Sequence, residues 1–155
     1  MSALAILPKT LIVAKDTAHL HFIGFGGAGV NALLLFNSKG ISGKYTAITT
    51  TDRDPLPPDI HFIAYNLPHT HGDKTMFEYP EAVHQLLDTD EYFVLLAGLG
   101  GFCGTFMLEA TMAKLNEQNK NYTAITTAPF AFEKDRQQRA QAIIEGNKRN
   151  PIFIA

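Results

Sequence analysis

The sequence contains few of the features that place a chain outside the ordinary globular proteins. It has one cysteine, Cys103, so no disulfide can form within the chain, which fits a reducing compartment such as the cytoplasm. No apolar run reaches the roughly 18 residues that a membrane-spanning helix needs. The formal net charge of −2 gives no electrostatic reason to bind nucleic acid. These absences predict a cytoplasmic protein whose partners include neither a membrane nor a nucleic acid.

The composition and the pattern of apolar residues predict one α/β domain. The 155 residues are 46% hydrophobic and 18% charged, which suits a single domain with a substantial core. Short runs of β-branched and aromatic residues alternate with longer helix-permissive runs. This pattern predicts a three-layer α/β fold with a doubly wound, mainly parallel, Rossmann-like sheet. Strands are predicted over residues 19–23, 44–49, 61–65, 92–97, 122–126 and 152–154, and helices over about 30–40, 79–87, 105–119 and 133–146.

Two glycine-rich turns are the most informative local features. Residues 24–29 (GFGGAG) and 98–104 (GLGGFCG) each end a predicted strand and precede a predicted helix. Glycines let backbone N–H groups converge on an anion, and the positive end of the helix dipole points at the same place. The commonest strand order of doubly wound sheets, 3-2-1-4-5-6, brings the first and fourth strands together where ligands bind. Both turns would then border one crevice, which predicts a site for the phosphates of a nucleotide.

Four motifs, in the same order, resemble the nucleotide loops of the tubulin/FtsZ family. The first glycine turn resembles the family's first nucleotide loop, and residues 48–52 (ITTTD) are similar to its A-x-N-T-D loop. Residues 97–105 (AGLGGFCGT) resemble its GGGTGTG signature, and residues 128–133 (APFAFE) resemble its PFxFEG loop. The resemblance implies a site for GTP or GDP that contains Gly26, Gly27, Ala28, Gly29, Asn31, Thr51, Asp52, Gly100, Gly101, Gly104, Thr105, Pro129 and Glu133. It further implies that Asn31 helps to read the guanine, that Glu133 approaches the ribose and that magnesium could accompany the phosphates.

The departures from the family pattern limit the expected activity. Phe102 and Phe106 stand near the second turn, where the family has small residues. Residues 1–155 resemble a single FtsZ-like nucleotide-binding domain without the family's central helix, acidic hydrolysis loop and C-terminal domain. The expectation is therefore a guanine-nucleotide-binding module with little or no GTP hydrolysis of its own and no catalytic residue. The alternative is a degenerate relative that has lost the nucleotide and binds a protein partner.

Other patterns carry weaker hypotheses. Residues 69–73 (HTHGD) have the spacing of metal ligands but lack a second ligand group, so no metal site is predicted. Cys103 beside a helix N-terminus could be a nucleophile, but it has no assignable histidine. An NAD-type site remains open, although no acidic residue ends the second strand. His19 and His21 are interpreted as surface or sheet-edge residues. The apolar strand 152–154 is expected at a sheet edge, which predicts a homodimer or an FtsZ-like partner.

Overall fold

The fold is defined by a computed structural model that describes residues 19–49, 55–64, 81–98, 102–127 and 152–154. In chain order, the elements are β1 (Leu20–Phe25), α1 (Gly26–Ser38), β2 (Lys44–Thr49), β3 (His61–Ala64), α2 (Glu81–Leu87), β4 (Tyr92–Gly98), α3 (Phe102–Glu117), β5 (Tyr122–Thr127) and β6 (Ile152–Ile154). The predicted strands are confirmed to within about two residues at each end. The helix predicted over residues 133–146 and the HTHGD motif lie outside the described residues.

The six strands of the described ranges form one sheet in the order β3-β2-β1-β4-β5-β6. Every neighbouring pair is parallel. The predicted fold class and strand order are therefore confirmed. β1 and β4 are neighbours, with Phe25 opposite Ala97, so the carboxyl ends of the first and fourth strands meet at one point. This is the switch point at which sheets of this kind bind their ligands.

The sheet has a hydrophobic core on each face, which makes the three predicted layers. Side chains on a strand alternate between the two faces, so Phe22 packs with the cluster under α1 while Ile23 packs with the cluster under α2 and α3. On the α1 side, Val30, Leu33 and Phe36 are fully buried against the sheet. Buried aliphatic and aromatic side chains typically stabilise a fold by about 1.5–3 kcal/mol each. Among the described helices, none has the length and apolarity to cross a bilayer.

Two helices begin earlier than the sequence predicts. α1 begins at Gly26 rather than near Val30, and α3 begins at Phe102 rather than near Thr105. Gly26 has a φ of +69°, a conformation that glycine adopts readily, and this lets strand β1 pass into helix α1 without an intervening loop. The residues predicted as open glycine turns are thus partly the first turns of the helices.

The prediction for His21 is wrong. His19 is exposed, but His21, on a strand in the interior of the sheet, is only 5% exposed. Strand β1 has β2 on one side and β4 on the other, so a polar side chain on it is enclosed by both neighbours. Its ring nitrogens contact Thr46 Oγ1 at 2.7 Å and Glu91 Oε1 at 3.3 Å. The alternation of residues along a strand predicts which side chains share a face of the sheet. It does not predict whether the strand is central or at an edge of the sheet, and so it did not predict that His21 is buried.

Candidate functional site

The N-terminus of α1 lies at the carboxyl end of β1 and has no side-chain cap. Its N-cap residue is Phe25, in extended conformation, which makes no capping hydrogen bond, and the first turn contains no acidic residue. The first backbone N–H groups of a helix have no partner within the helix and carry partial positive charge. Helix α1 therefore presents N–H donors at the switch point, where an anion can accept from them.

The N-terminus of α3 lies beside that of α1. A methyl group added to Gly104 would lie 2.9 Å from the carbonyl oxygen of Gly98 and 3.5 Å from that of Phe25. The first turn of α3 thus contacts the ends of both β4 and β1. The described first turn of α3 also contains no acidic residue. The first turns of the two helices thus lie together at the carboxyl ends of β1 and β4, as the strand order and the two glycine turns predicted.

The glycines of the two turns have different roles. A methyl group on Gly24 would lie 2.6 Å from the carbonyl oxygen of Gly29, and one on Gly29 would lie 2.3 Å from that of Leu96. These distances are too short for any real carbon–oxygen contact, so Gly24 and Gly29 let α1 approach the sheet closely. Gly104 has the same packing role. In contrast, a methyl group on Gly27 would meet no atom within 4 Å.

The open part of the crevice is formed by the exposed residues of α1 and the end of β5. Gly27, Ala28 and Asn31 are exposed, whereas Gly26 and Gly29 are buried. Asn31 follows Gly27 by one helical turn, so both lie on the same side of α1. Thr127, at the end of β5, is exposed, and its Oγ1 would lie 3.2 Å from a methyl group on Gly98. Sequence reasoning missed Thr127, although its position at the end of the strand beside β4 could have indicated it.

The structure describes only some of the remaining predicted site residues. The backbone of Thr105 lies in the first turn of α3. Phe106, which stands near the second turn where the family has small residues, is 4% exposed and belongs to the interior. Among the residues that the structure describes, no group of three or more His, Cys, Asp or Glu side chains could hold a metal ion. Outside the described residues are Thr51, Asp52, Gly100, Gly101, Pro129 and Glu133.

Sequence comparison gives similarity to cell division proteins. No protein-family model matches the chain. The chain is 27% identical over 148 aligned residues to the cell division protein FtsZ of Haloferax mediterranei, covering 86% of this chain and 39% of that protein. It is 25% identical over 141 residues to cell division protein FtsZ 1 of Pyrococcus horikoshii, covering 83% and 38%. The chain thus spans about two fifths of the length of these curated relatives.

Solved structures share the fold. An empty FtsZ dimer from M. jannaschii superposes with a TM-score of 0.65 at 20% identity, covering 96% of this chain and 50% of that one. CetZ from Methanosaeta thermophila gives a TM-score of 0.63 at 13% identity, covering 88% and 46%. At such identities the superpositions show the fold alone.

Proposed function

The chain is a tubulin/FtsZ-like N-terminal domain, and from this we propose that it binds a guanine nucleotide, GTP or GDP, in the crevice beside Gly27. Gly27 carries the proposal. Packing requires glycine at Gly24, Gly29 and Gly104, but it does not require glycine at Gly27, where a side chain would project into open space. A glycine in the first turn of an uncapped helix is the arrangement that lets a phosphate reach the backbone N–H groups.

The choice of guanine rests on the resemblance of the four loops. In this proposal, the first turns of α1 and α3 bind the phosphates, with or without magnesium, and Asn31 approaches the base. Thr127 adds a hydroxyl group beside the same crevice. The six matched positions outside the described residues complete the site: Thr51, Asp52, Gly100, Gly101, Pro129 and Glu133.

We propose further that the chain alone hydrolyses GTP little or not at all. Hydrolysis of a phosphoanhydride needs a group that orients the attacking water. In the described part of the crevice, the first turns of α1 and α3 supply backbone donors but no carboxylate. Phosphate release by the purified chain is therefore expected to stay at the level of a protein-free control.

The binding proposal predicts that GTP or GDP stabilises the native chain and that Gly27→Val removes most of this effect. A ligand that binds only the folded state stabilises it by about 2.7 kcal/mol at 100 times its dissociation constant. Because the valine side chain would occupy the approach to the N–H groups, we expect the dissociation constant to rise at least tenfold. Calorimetric titration and thermal unfolding with increasing nucleotide measure both quantities.

Ala82→Val is the matched control, since Ala82 is likewise an exposed small residue in the first turn of a helix, α2. It should leave nucleotide affinity unchanged. Equal stabilisation by ATP would contradict the assignment to guanine. If no nucleotide binds the folded wild-type chain at millimolar concentration, the alternative of a degenerate, partner-binding relative replaces the nucleotide proposal.

We also propose that the chain acts in the cytoplasm and pairs with a second copy of itself or with an FtsZ-like protein. Among the described strands, β6 pairs with β5 alone and so ends the sheet. An edge strand offers unpaired backbone groups to another strand. Light scattering should give a dimer mass that falls to the monomer mass on dilution. A monomer mass at all concentrations would contradict the self-association part of this proposal.

A further inference from the structure

A polar cavity lies at the amino ends of the strands, on the opposite side of the sheet from the two glycine turns. We call it the amino-edge pocket; it measures about 440 Å³ and is lined by His21, Lys44, Tyr45, Asp59, Leu86 and Glu91 among others. Lys44 is the first residue of β2, and Glu91 immediately precedes β4. The volume falls within the range of about 300–1,000 Å³ that is usual for small-molecule sites. Because the nucleotide crevice lies at the carboxyl edge, the nucleotide proposal does not involve this pocket.

The buried carboxylate of Glu91 is the central feature of the amino-edge pocket. Its side chain is 7% exposed. Oε1 accepts hydrogen bonds from Thr89 Oγ1 at 2.8 Å and from His21 Nδ1 at 3.3 Å. Oε2 has no aligned hydrogen-bond donor among the described residues. The Nζ atom of Lys44 lies 3.1 Å from Oε2, but the lysine side chain is 68% exposed.

The protonation states leave Glu91 negatively charged. Burial acts to raise the pKa of Glu91, but the hydrogen bond from Thr89, the nearby ammonium group of Lys44 and the proximity of His21 outweigh it, so the pKa lies below its usual value. Burial lowers the pKa of His21, against the opposing effect of Glu91, so the imidazole is neutral at neutral pH. Its Nδ1–H then donates to Glu91 and its Nε2 accepts from the Thr46 hydroxyl. His21 therefore satisfies Oε1 without neutralising the carboxylate.

We propose that the amino-edge pocket binds a small organic cation through an alkylammonium group that donates a hydrogen bond to Oε2 of Glu91. An ionised carboxylate oxygen is only an acceptor, and a buried one without an aligned donor is costly. The ammonium group of Lys44 already contacts Oε2, and because the lysine side chain is 68% exposed it can turn into solvent when the ammonium group of a ligand takes its place. Asp59, exposed at the same pocket, adds a second negative charge.

The other lining residues suit an alkyl chain rather than an anion or a metal ion. Tyr45 and Leu86 supply apolar surface, and the Tyr45 hydroxyl already donates to the carbonyl oxygen of Ile41. Burial, with a smaller effect of Asp59, raises the pKa of Tyr45 to about 12, so this hydroxyl stays neutral. A buried carboxylate repels anions. The described residues contain no set of three ligands that could hold a metal ion.

The test titrates the full chain with n-butylammonium chloride at constant ionic strength, followed by backbone amide NMR. We expect saturable shifts at residues that line the amino-edge pocket and at least tenfold weaker binding of n-butanol and of acetate. A parallel titration with Nα-acetyl-lysine amide distinguishes the two sources of an alkylammonium group. Tighter binding of the lysine amide indicates a protein side chain, and tighter binding of butylammonium indicates a free amine. Absence of saturable binding, or equal binding of butanol, overturns the proposal.

Three variants assign the binding to Glu91. Glu91→Gln should weaken butylammonium binding at least tenfold. Asp90→Asn, which removes the same charge at the exposed neighbouring residue, should change it less than twofold. Lys44→Met removes the exposed ammonium group that competes with the ligand for Oε2 of Glu91. It should tighten butylammonium binding at least threefold. Unchanged butylammonium binding in a folded Glu91→Gln chain overturns the proposal. Weaker butylammonium binding by Lys44→Met than by the wild-type chain also overturns it. This second variant still tests the proposal if Glu91→Gln does not fold.

Discussion

Replacing Gly29 by alanine is expected to cost about 3 kcal/mol or more of folding free energy, a large part of the 5–15 kcal/mol that stabilises a typical domain. The added methyl group would lie 2.3 Å from the carbonyl oxygen of Leu96. Leu96 is in the central strand β4, which is paired on both sides, so its backbone cannot move aside alone. Helix α1 would have to move away from the sheet and expose part of the core under it. Urea unfolding followed by circular dichroism measures the loss.

Gly27→Ala is the matched control in the same helix. A methyl group at Gly27 meets no atom within 4 Å, and alanine is a better helix former than glycine by up to about 1 kcal/mol. We therefore expect unchanged or slightly higher stability. Equal stability of Gly29→Ala and the wild-type chain would show that α1 does not approach β4 as closely as the structure has it.

Acid is expected to destabilise the protein in two steps, because the pKa values of both His21 and Glu91 are lower in the folded chain than in the unfolded chain. As the pH falls through the usual histidine pKa of 6.5, the unfolded chain takes up a proton that folded His21 resists, so stability falls. Below the usual glutamate value of 4.5, Glu91 adds a second loss with the same sign. For each proton that the unfolded chain binds and the folded chain does not, the free energy of unfolding falls by up to about 1.4 kcal/mol per pH unit.

The measurement is the urea midpoint between about pH 8 and pH 3. His21→Gln should remove the upper step and keep the lower one. His19→Gln, a substitution of an exposed histidine two residues earlier, should keep both. A wild-type midpoint that does not change between about pH 8 and pH 5 would contradict the burial of a neutral His21.

The placement of the two glycine turns at the ends of neighbouring strands was predictable because its main determinants are local. A glycine turn between a strand and a helix can be read from a few consecutive residues, and the general preference for one strand order places two such turns together. Both inferences are confirmed by the strand order and by the contact of Gly104 with the ends of β1 and β4. The helix starts were less accurate, since Gly26 belongs to α1 and the sequence pattern assigned it to a turn.

The amino-edge pocket was not predictable in the same way. His21, Lys44 and Glu91 are far apart in the sequence, and each looks like an ordinary polar residue at the start of a strand. They become one cluster only because β1 lies between β2 and β4. A buried carboxylate, one of whose oxygens has no aligned hydrogen-bond donor among the described residues, follows from that non-local arrangement.

The sequence by itself determined the order of the elements, the parallel α/β architecture and the position of the two glycine turns. These follow from residue periodicity and backbone preferences, which act over a few neighbouring residues. Only the tertiary structure decided that Gly29 serves packing while Gly27 faces open space, and that His21 is buried. The physical reason is that packing space and burial depend on which backbone or side-chain atoms other parts of the chain bring close, and no local pattern contains that information.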